Sequence, residues 1–253
     1  CRGDQYLARQ AGRYRHPAPG AMTAGRIAGL VWTLAQETLV ETARGIGRRW
    51  PPSLGFVAAI VLLVLYVDRP LALWLWALPA ADRAFFAAIN EVGRSGWMFG
   101  AAAVALVAAL LLHRDDWAIR AAFVVGAIAM GGWVVNVMKL AFARARPRLL
   151  VGDEATGDYG FRGFSIDPDW NSFPSGHAQA SASLAAALAC VWPRFGIVFL
   201  GLALLPALAR VVNLNHFASD VATGYMTGCL VTFALARACA ARSIGPITTG
   251  ERR

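Results

Sequence analysis

Residues 173–192 read FPSGHAQASASLAAALACVW. A Pro-Ser-Gly turn leads into a histidine and then into an unbroken run of small and apolar residues. This is the signature of a helix start followed by a helix with no polar face. Ser175, Gly176 and His177 stand at its N-terminus, and the body, Ala178–Trp192, is too apolar for the surface of a soluble domain.

Five more apolar blocks surround it: Leu54–Val67, Trp97–Leu112, Ala121–Met138, Phe195–Ala209 and Val221–Ala236. Each block has about 14 to 18 residues, and tolerant flanking residues lengthen most of them toward the roughly 20 that cross a bilayer. The chain is 57% hydrophobic and 15% charged, against about 25% charged in an ordinary soluble domain. The expectation is an all-α fold: a polytopic membrane helical bundle of about six transmembrane helices over residues 51–238, with periplasmic loops.

Outside the spans, residues 1–23 are rich in Arg, Gly and Pro and read as a tail or an upstream extension; no apolar stretch marks a signal peptide. Residues 24–50 are amphipathic, with Ile27, Leu30, Val31 and Leu34 on one face, and read as a helix on the membrane surface. Asp68–Gly96, with LALWLWALP and ADRAFFAAINEVG, reads as short interfacial helices, and residues 239–253 as a tail. Arginines cluster before the first span and after the last, which places both termini in the cytoplasm. Arg144, Arg146, Arg148 and Arg162 fall on the opposite side and need another reason. The net charge of +9 fits membrane edges or an anionic substrate, since a chain this apolar has little basic surface for nucleic acid. The four cysteines form no CxxC pair and suggest neither zinc nor a disulfide framework. The Gly- and Ala-rich last helix suits close packing within the bundle or between subunits, so oligomeric state stays open.

Two further polar clusters flank the first. One is Lys139, the only lysine beside 23 arginines, followed after six residues by Arg146 and Pro147 in KLAFARARP. The other is Arg210, then His216, then Asp220. Between KLAFARARP and FPSGH there is only a loop; between FPSGH and Arg210 the chain crosses twice. All three clusters therefore share one face. Lys139, Arg146 and Arg210 are cations suited to phosphate oxygens, and Ser175, Gly176 and His177 lie at a helix N-terminus that favours an anion. Asp220, four residues after His216, can hold one imidazole nitrogen and leave the other free to attack. His177 is then placed to protonate the leaving oxygen.

KLAFARARP, FPSGH and R-x5-H-x3-D resemble the three signature motifs of the type 2 phosphatidic acid phosphatase superfamily, which includes membrane lipid phosphatases and the related vanadium haloperoxidases. The resemblance implies that His216 is a nucleophile forming a phosphohistidine, Asp220 its orienting partner and His177 the general acid. It implies phosphate binding by Lys139, Arg146, Ser175, Gly176 and Arg210, with no metal and no cofactor. It departs at Ala209, where a serine is common, so one hydroxyl contact to phosphate is missing. The expected substrate is a membrane lipid phosphate or diphosphate in the outer leaflet of a bacterial inner membrane: undecaprenyl diphosphate or a lipid A phosphate first, phosphatidylglycerol phosphate or phosphatidic acid next. The loop Leu149–Trp170 and the segment Asp68–Gly96 are expected to shape lipid entry, with Phe161, Phe164 and Trp170 either lining it or serving as plain packing. The haloperoxidase branch is disfavoured by the apolar spans. A catalytically silent lipid-binding or transport protein is the rival, and the histidine–carboxylate pair counts against it.

Overall fold

Small residues decide how the helices approach one another. The computed structural model describes residues 24–92, 95–152 and 155–244. The expected tail at 1–23 and residues 245–253 lie outside them. Apart from short π- and 3-10 segments, the described elements are α-helices, and one isolated bridge joins Arg144 to Phe161. In chain order they are α1 (Ala24–Arg48), α2 (Trp50–Leu62), a π-helical segment (Leu63–Val67), α3 (Asp68–Ala77), α4 (Ala80–Val92), α5 (Ser95–Leu111), α6 (Asp115–Phe142), the one-turn α7 (Pro147–Leu150), α8 (Gly176–Val191), α9 (Gly196–Val212) and α10 (Ala218–Ala241). The described residues from Leu34 onward belong to one compact unit, and those up to Thr33 to another. Within the larger unit, Thr38 of α1 is fully buried and Glu37 accepts a hydrogen bond from Arg242 at 2.5 Å.

Among the described residues, five stretches are long and apolar enough to cross a membrane: Trp50–Ala77, Arg83–Leu111, Asp115–Phe142, Pro193–Val212 and Ala218–Ala241. The sixth block forms α8, whose 16 residues extend about 24 Å at 1.5 Å per residue. It lies at the centre of the bundle, packed against α6, α9 and α10. One expectation is corrected. The first span does not stop at Val67: the helix continues through the π segment and α3, and Asp68 is buried within it. Of the segment Asp68–Gly96, the first part through Ala77 thus continues the helix of the first apolar block, and α4 packs on α9.

The Gly-x-x-x-Gly pair of α10 brings that helix onto α8. A Cβ at Gly224 would lie 2.2 Å from the Ser175 carbonyl oxygen, and one at Gly228 would lie 2.5 Å from the Gln179 carbonyl oxygen. On the opposite side, a Cβ at Gly131 of α6 would collide with the Gln179 side chain at 2.2 Å. The small residues of the last helix are thus used inside the bundle. Buried polar groups on α8 are satisfied locally: Gln179 Nε2 donates to the Ile128 carbonyl and to Ser183 Oγ, and Ser183 donates to the Gly228 carbonyl. Large apolar side chains such as Ile197, Leu202 and Leu111 face outward, as a lipid-facing surface requires. Trp117, Trp192 and Arg120 stack at one end of α6 and α8, while Lys139 and His177 stand at the other.

Because the Ser175 backbone cannot retreat from α10 without moving the start of α8, Gly224→Ala is expected to cost about 1–3 kcal/mol and lower the thermal midpoint in detergent. Gly201→Ala, which meets nothing within 4 Å, is the control and should leave the midpoint unchanged or higher. Equal midpoints for the two variants would contradict this packing.

Candidate active site

Four helix ends and two loops build the site. α6 ends at Phe142, and Ala143 closes it in the left-handed region (φ 43°). Arg146 borders a cavity, while Arg144 is fully buried in the protein. Ser175 is the N-cap of α8, its hydroxyl accepting from the Ala178 amide at 3.4 Å. After α9, the amides of Asn215 and His216 bond back to the Arg210 carbonyl, fixing His216 just before α10 begins.

A cavity of about 480 Å³ opens between α5, α6, α8 and α9. Lys139, Arg146, Gly176, His177, Arg210 and His216 line one part of it. Six of the eight expected site residues, drawn from all three clusters, therefore meet at one cavity. The remaining two stand behind it. Ser175 is fully buried and serves as a helix cap, and Asp220 is fully buried beneath His216. A Cβ at Gly176 would touch nothing within 4 Å although the residue borders the cavity; the room there is available to a ligand.

Backbone carbonyls hold two of the cations. Lys139 Nζ donates to the Asn171 carbonyl at 2.8 Å. Arg146 donates to the carbonyls of Pro168, Asn171 and Asn215 at 2.9, 3.4 and 3.5 Å. Both converge on Asn171, and among the described residues neither makes an ion pair with a carboxylate, which suits an arriving anion. Arg210 Nη1 donates to Asn90 Oδ1 of α4 at 2.5 Å.

His216 Nδ1 lies 3.7 Å from Asp220 Oδ2, too far for a direct hydrogen bond. Ser172 occupies the gap: its hydroxyl donates to Asp220 Oδ2 at 2.6 Å and stands 3.4 Å from His216 Nδ1. The expected pair is thus a trio. With Nδ1 facing Asp220, Nε2 is the nitrogen left for the cavity. Asp220 also accepts from the Phe217 amide at 2.9 Å and from Arg144 Nη1 at 2.5 Å. Burial, reinforced by the nearby charges of Lys139 and Arg146 and opposed by Asp220, pushes the His216 imidazole down to about 3. It is neutral, hence nucleophilic, at ordinary pH.

Sequence reasoning missed Ser172, Arg144 and Asp68. Arg144 is completely buried and bridges Asp220 to Asp68, 2.8 Å away. The available signals were its place two residues before Arg146 and a lone acid at the end of an apolar block, which membrane burial obliges to find a partner. Of the two readings of the loop aromatics, packing describes Phe161, edge-on against Phe142 and Phe173, and Trp170 under Arg162, while Phe164 is exposed. None of the three borders the cavity. Ala209 is fully buried. Among the described residues, no group of three His, Cys, Asp or Glu is arranged to hold a metal ion.

Comparison with known proteins agrees with the geometry. The PAP2 superfamily model matches residues 120–243, which carry every motif. Through these residues, just under half of its length, the chain is similar to the PAP2 superfamily. It is similar to a lipid A 1-phosphatase of Rhizobium etli, 29% identical over 71% of this chain and 81% of the relative. It is also similar to a lipid A 1-phosphatase of Rhizobium johnstonii, 34% identical over 40% of each chain. Among solved structures, it is similar to the transmembrane PAP2-type phosphatidylglycerolphosphate phosphatase of Bacillus subtilis, with a TM-score of 0.47 and 18% identity over 82% of this chain and 94% of that one. The resemblance read from the PAP2 motifs is borne out.

The low proton affinity of His216 has a consequence for stability. In the unfolded chain the imidazole binds a proton near pH 6.5; in the folded protein it does so only near 3. Below about pH 6.5 the unfolded state holds more protons, so stability falls as pH drops toward 3. Lowering pH from 7 to 5 should therefore lower the melting midpoint of the wild type more than that of His216→Gln. Equal losses would contradict the buried neutral imidazole.

Proposed function

We propose that this PAP2 membrane lipid phosphatase cleaves a lipid A phosphate by way of a phosphohistidine on His216. The observation that carries this reading is the cavity itself. It joins three cations and two histidines to an apolar slot lined by Phe99, Ile128, Gly132, Val135 and Ala180. Lys139 and Ile128 are eleven positions apart on α6, so the slot descends about 16 Å along the helix. A free phosphate has no use for such a slot, whereas the hydrocarbon of a lipid does. The two similar lipid A 1-phosphatases favour that substrate; undecaprenyl diphosphate, phosphatidylglycerol phosphate and phosphatidic acid share the chemistry.

The steps follow from the placement of groups. The phosphate sits among Lys139, Arg146 and Arg210 with the Gly176 backbone at its edge. His216 Nε2 attacks phosphorus, the bond from phosphorus to the lipid oxygen breaks, and His177 gives that oxygen its proton. The imidazole becomes cationic as it takes the phosphoryl group, and Ser172 and Asp220 lie on its Nδ1 side to stabilise that charge. A water molecule, losing its proton to His177, then attacks phosphorus and releases inorganic phosphate and neutral His216. No step calls for a metal. The arginine distribution supports cytoplasmic termini and a periplasmic site in the inner membrane of a bacterium.

Purified protein with excess chelator should release phosphate from at least one member of a panel of lipid A, prenyl and glycerolipid phosphates. His216→Ala should lower that rate by about 10³-fold or more while remaining folded. Phosphate release that survives in the variant, or none from any lipid with the wild type, would sink the proposal. For orientation, single cysteines introduced at exposed positions between Gly152 and Asp169 should react with an impermeant reagent in cells whose inner membrane is intact. Reaction only after the inner membrane is breached would place the site on the other side.

A further inference from the structure

Asp68 is a buried carboxylate 76 residues before Arg144 and 152 before Asp220. It stands at the point where the π segment gives way to α3. Its Oδ1 accepts the Ser219 amide at 3.0 Å, and its Oδ2 accepts the Ser219 hydroxyl and Arg144 Nη2, the latter at 2.8 Å. The other nitrogen of the same guanidinium, Arg144 Nη1, donates to Asp220 Oδ1 at 2.5 Å and to Ser219 Oγ at 2.6 Å. Arg144 Nη2 also reaches the Tyr159 hydroxyl at 3.2 Å, and that hydroxyl donates to the Val64 carbonyl in the π segment. A continuous chain of charge-assisted contacts thus runs from the first span to the carboxylate beside His216.

We propose that Asp68 is a positioning residue for the reaction at His216: it holds Arg144, Arg144 holds Asp220, and Asp220 with Ser172 fixes the imidazole so that Nε2 faces the phosphate. This rests on the reading of His216 as the nucleophile. Without Asp68, Arg144 keeps Asp220 and Ser219 on Nη1 but on Nη2 keeps the Tyr159 hydroxyl and loses the carboxylate, so the guanidinium is held less firmly over the Phe217 ring, 4.3 Å from its carbon. There is also a charge effect. Two carboxylates share one guanidinium, so one negative charge remains uncompensated within this trio, close to the imidazole that turns cationic during transfer. Removing Asp68 leaves Asp220 committed to Arg144 alone.

The test compares wild type with Asp68→Asn, which keeps the shape and one acceptor but loses the charge. The expected outcome is a fall in kcat of about 10- to 100-fold, the range that outer supporting contacts command, with KM within about twofold. Orthovanadate, which must bond to the imidazole to adopt the shape of five-coordinate phosphorus, should inhibit more weakly by a similar factor. Inorganic phosphate, held by the cations alone, should inhibit as before. An Asp68 needed only for folding would lower the melting midpoint or the folded yield with kcat per folded molecule unchanged, and that result overturns the proposal. So does an equal loss of vanadate and phosphate inhibition. Should Asp68→Asn fail to fold, Ser219→Ala takes its place, because it removes the hydroxyl shared by Asp68 and Arg144 and leaves the amide. An unchanged kcat there is equally contrary. A wild type that releases no phosphate sinks the phosphatase reading and this inference with it, whereas an active wild type with an unaffected Asp68→Asn sinks this inference alone.

Discussion

A guanidinium with no exposed surface lies between two carboxylates, Arg144 to Asp220 at 2.5 Å and to Asp68 at 2.8 Å. Taking three charges out of water costs several kcal/mol per ion even after relaxation. The arrangement persists because almost every donor and acceptor finds a partner; only Arg144 Nε has none, and the guanidinium plane rests on Phe217. Such a network is a poor source of net stability and a strong source of geometry, since any rearrangement leaves a buried charge unpaired. It ties together the first span, the loop after α6 and the start of α10, three pieces far apart in the chain. The walls of the site follow from that tie.

Packing supplies the other half of the geometry. α8 is built from Ala, Ser and Gly, and Gly131, Gly224 and Gly228 let its neighbours come within backbone contact. In a membrane, where lipid competes equally for apolar surface, close approach of small residues is a main source of helix association. Here it also sets chemistry. The Ser175 amide donates to the Asp220 carbonyl at 2.9 Å, so the N-terminus that presents Gly176 and His177 is fastened to the helix that carries Asp220. The N-terminus of one helix and the segment that carries His216 before the next are therefore fastened together.

Much of this was legible in the chain. Composition and apolar blocks sufficed for an all-α membrane bundle, and counting crossings put three motifs on one face; the cavity now joins them. What stayed hidden has a common physical reason. Residues that face the cavity, such as Lys139, His177 and His216, advertise their chemistry by being polar where the bilayer disfavours it. Residues behind them work through contacts between distant segments, which spacing alone cannot show. Arg144 looked like one more loop arginine, because nothing in its spacing from Arg146 shows that one is buried and the other borders the cavity. Asp68 seemed to end a span because LALWLWALP resembles an interfacial stretch, yet the helix runs on through a π segment to Ala77. Ser172 sits in an irregular loop with no periodicity to mark it, and Ser175, expected to touch phosphate, is occupied as a helix cap.

The account as a whole stands on one bond, between phosphorus and His216 Nε2. It can be observed by mixing the protein with a lipid substrate labelled in its terminal phosphate and quenching in alkali, where phosphohistidine survives and acyl phosphates do not. The expected result is a label that is stable to base and lost in acid, maps to the peptide containing His216, and is absent from His216→Ala. A label on another residue, or full turnover with no labelled protein under rapid quenching, would contradict it.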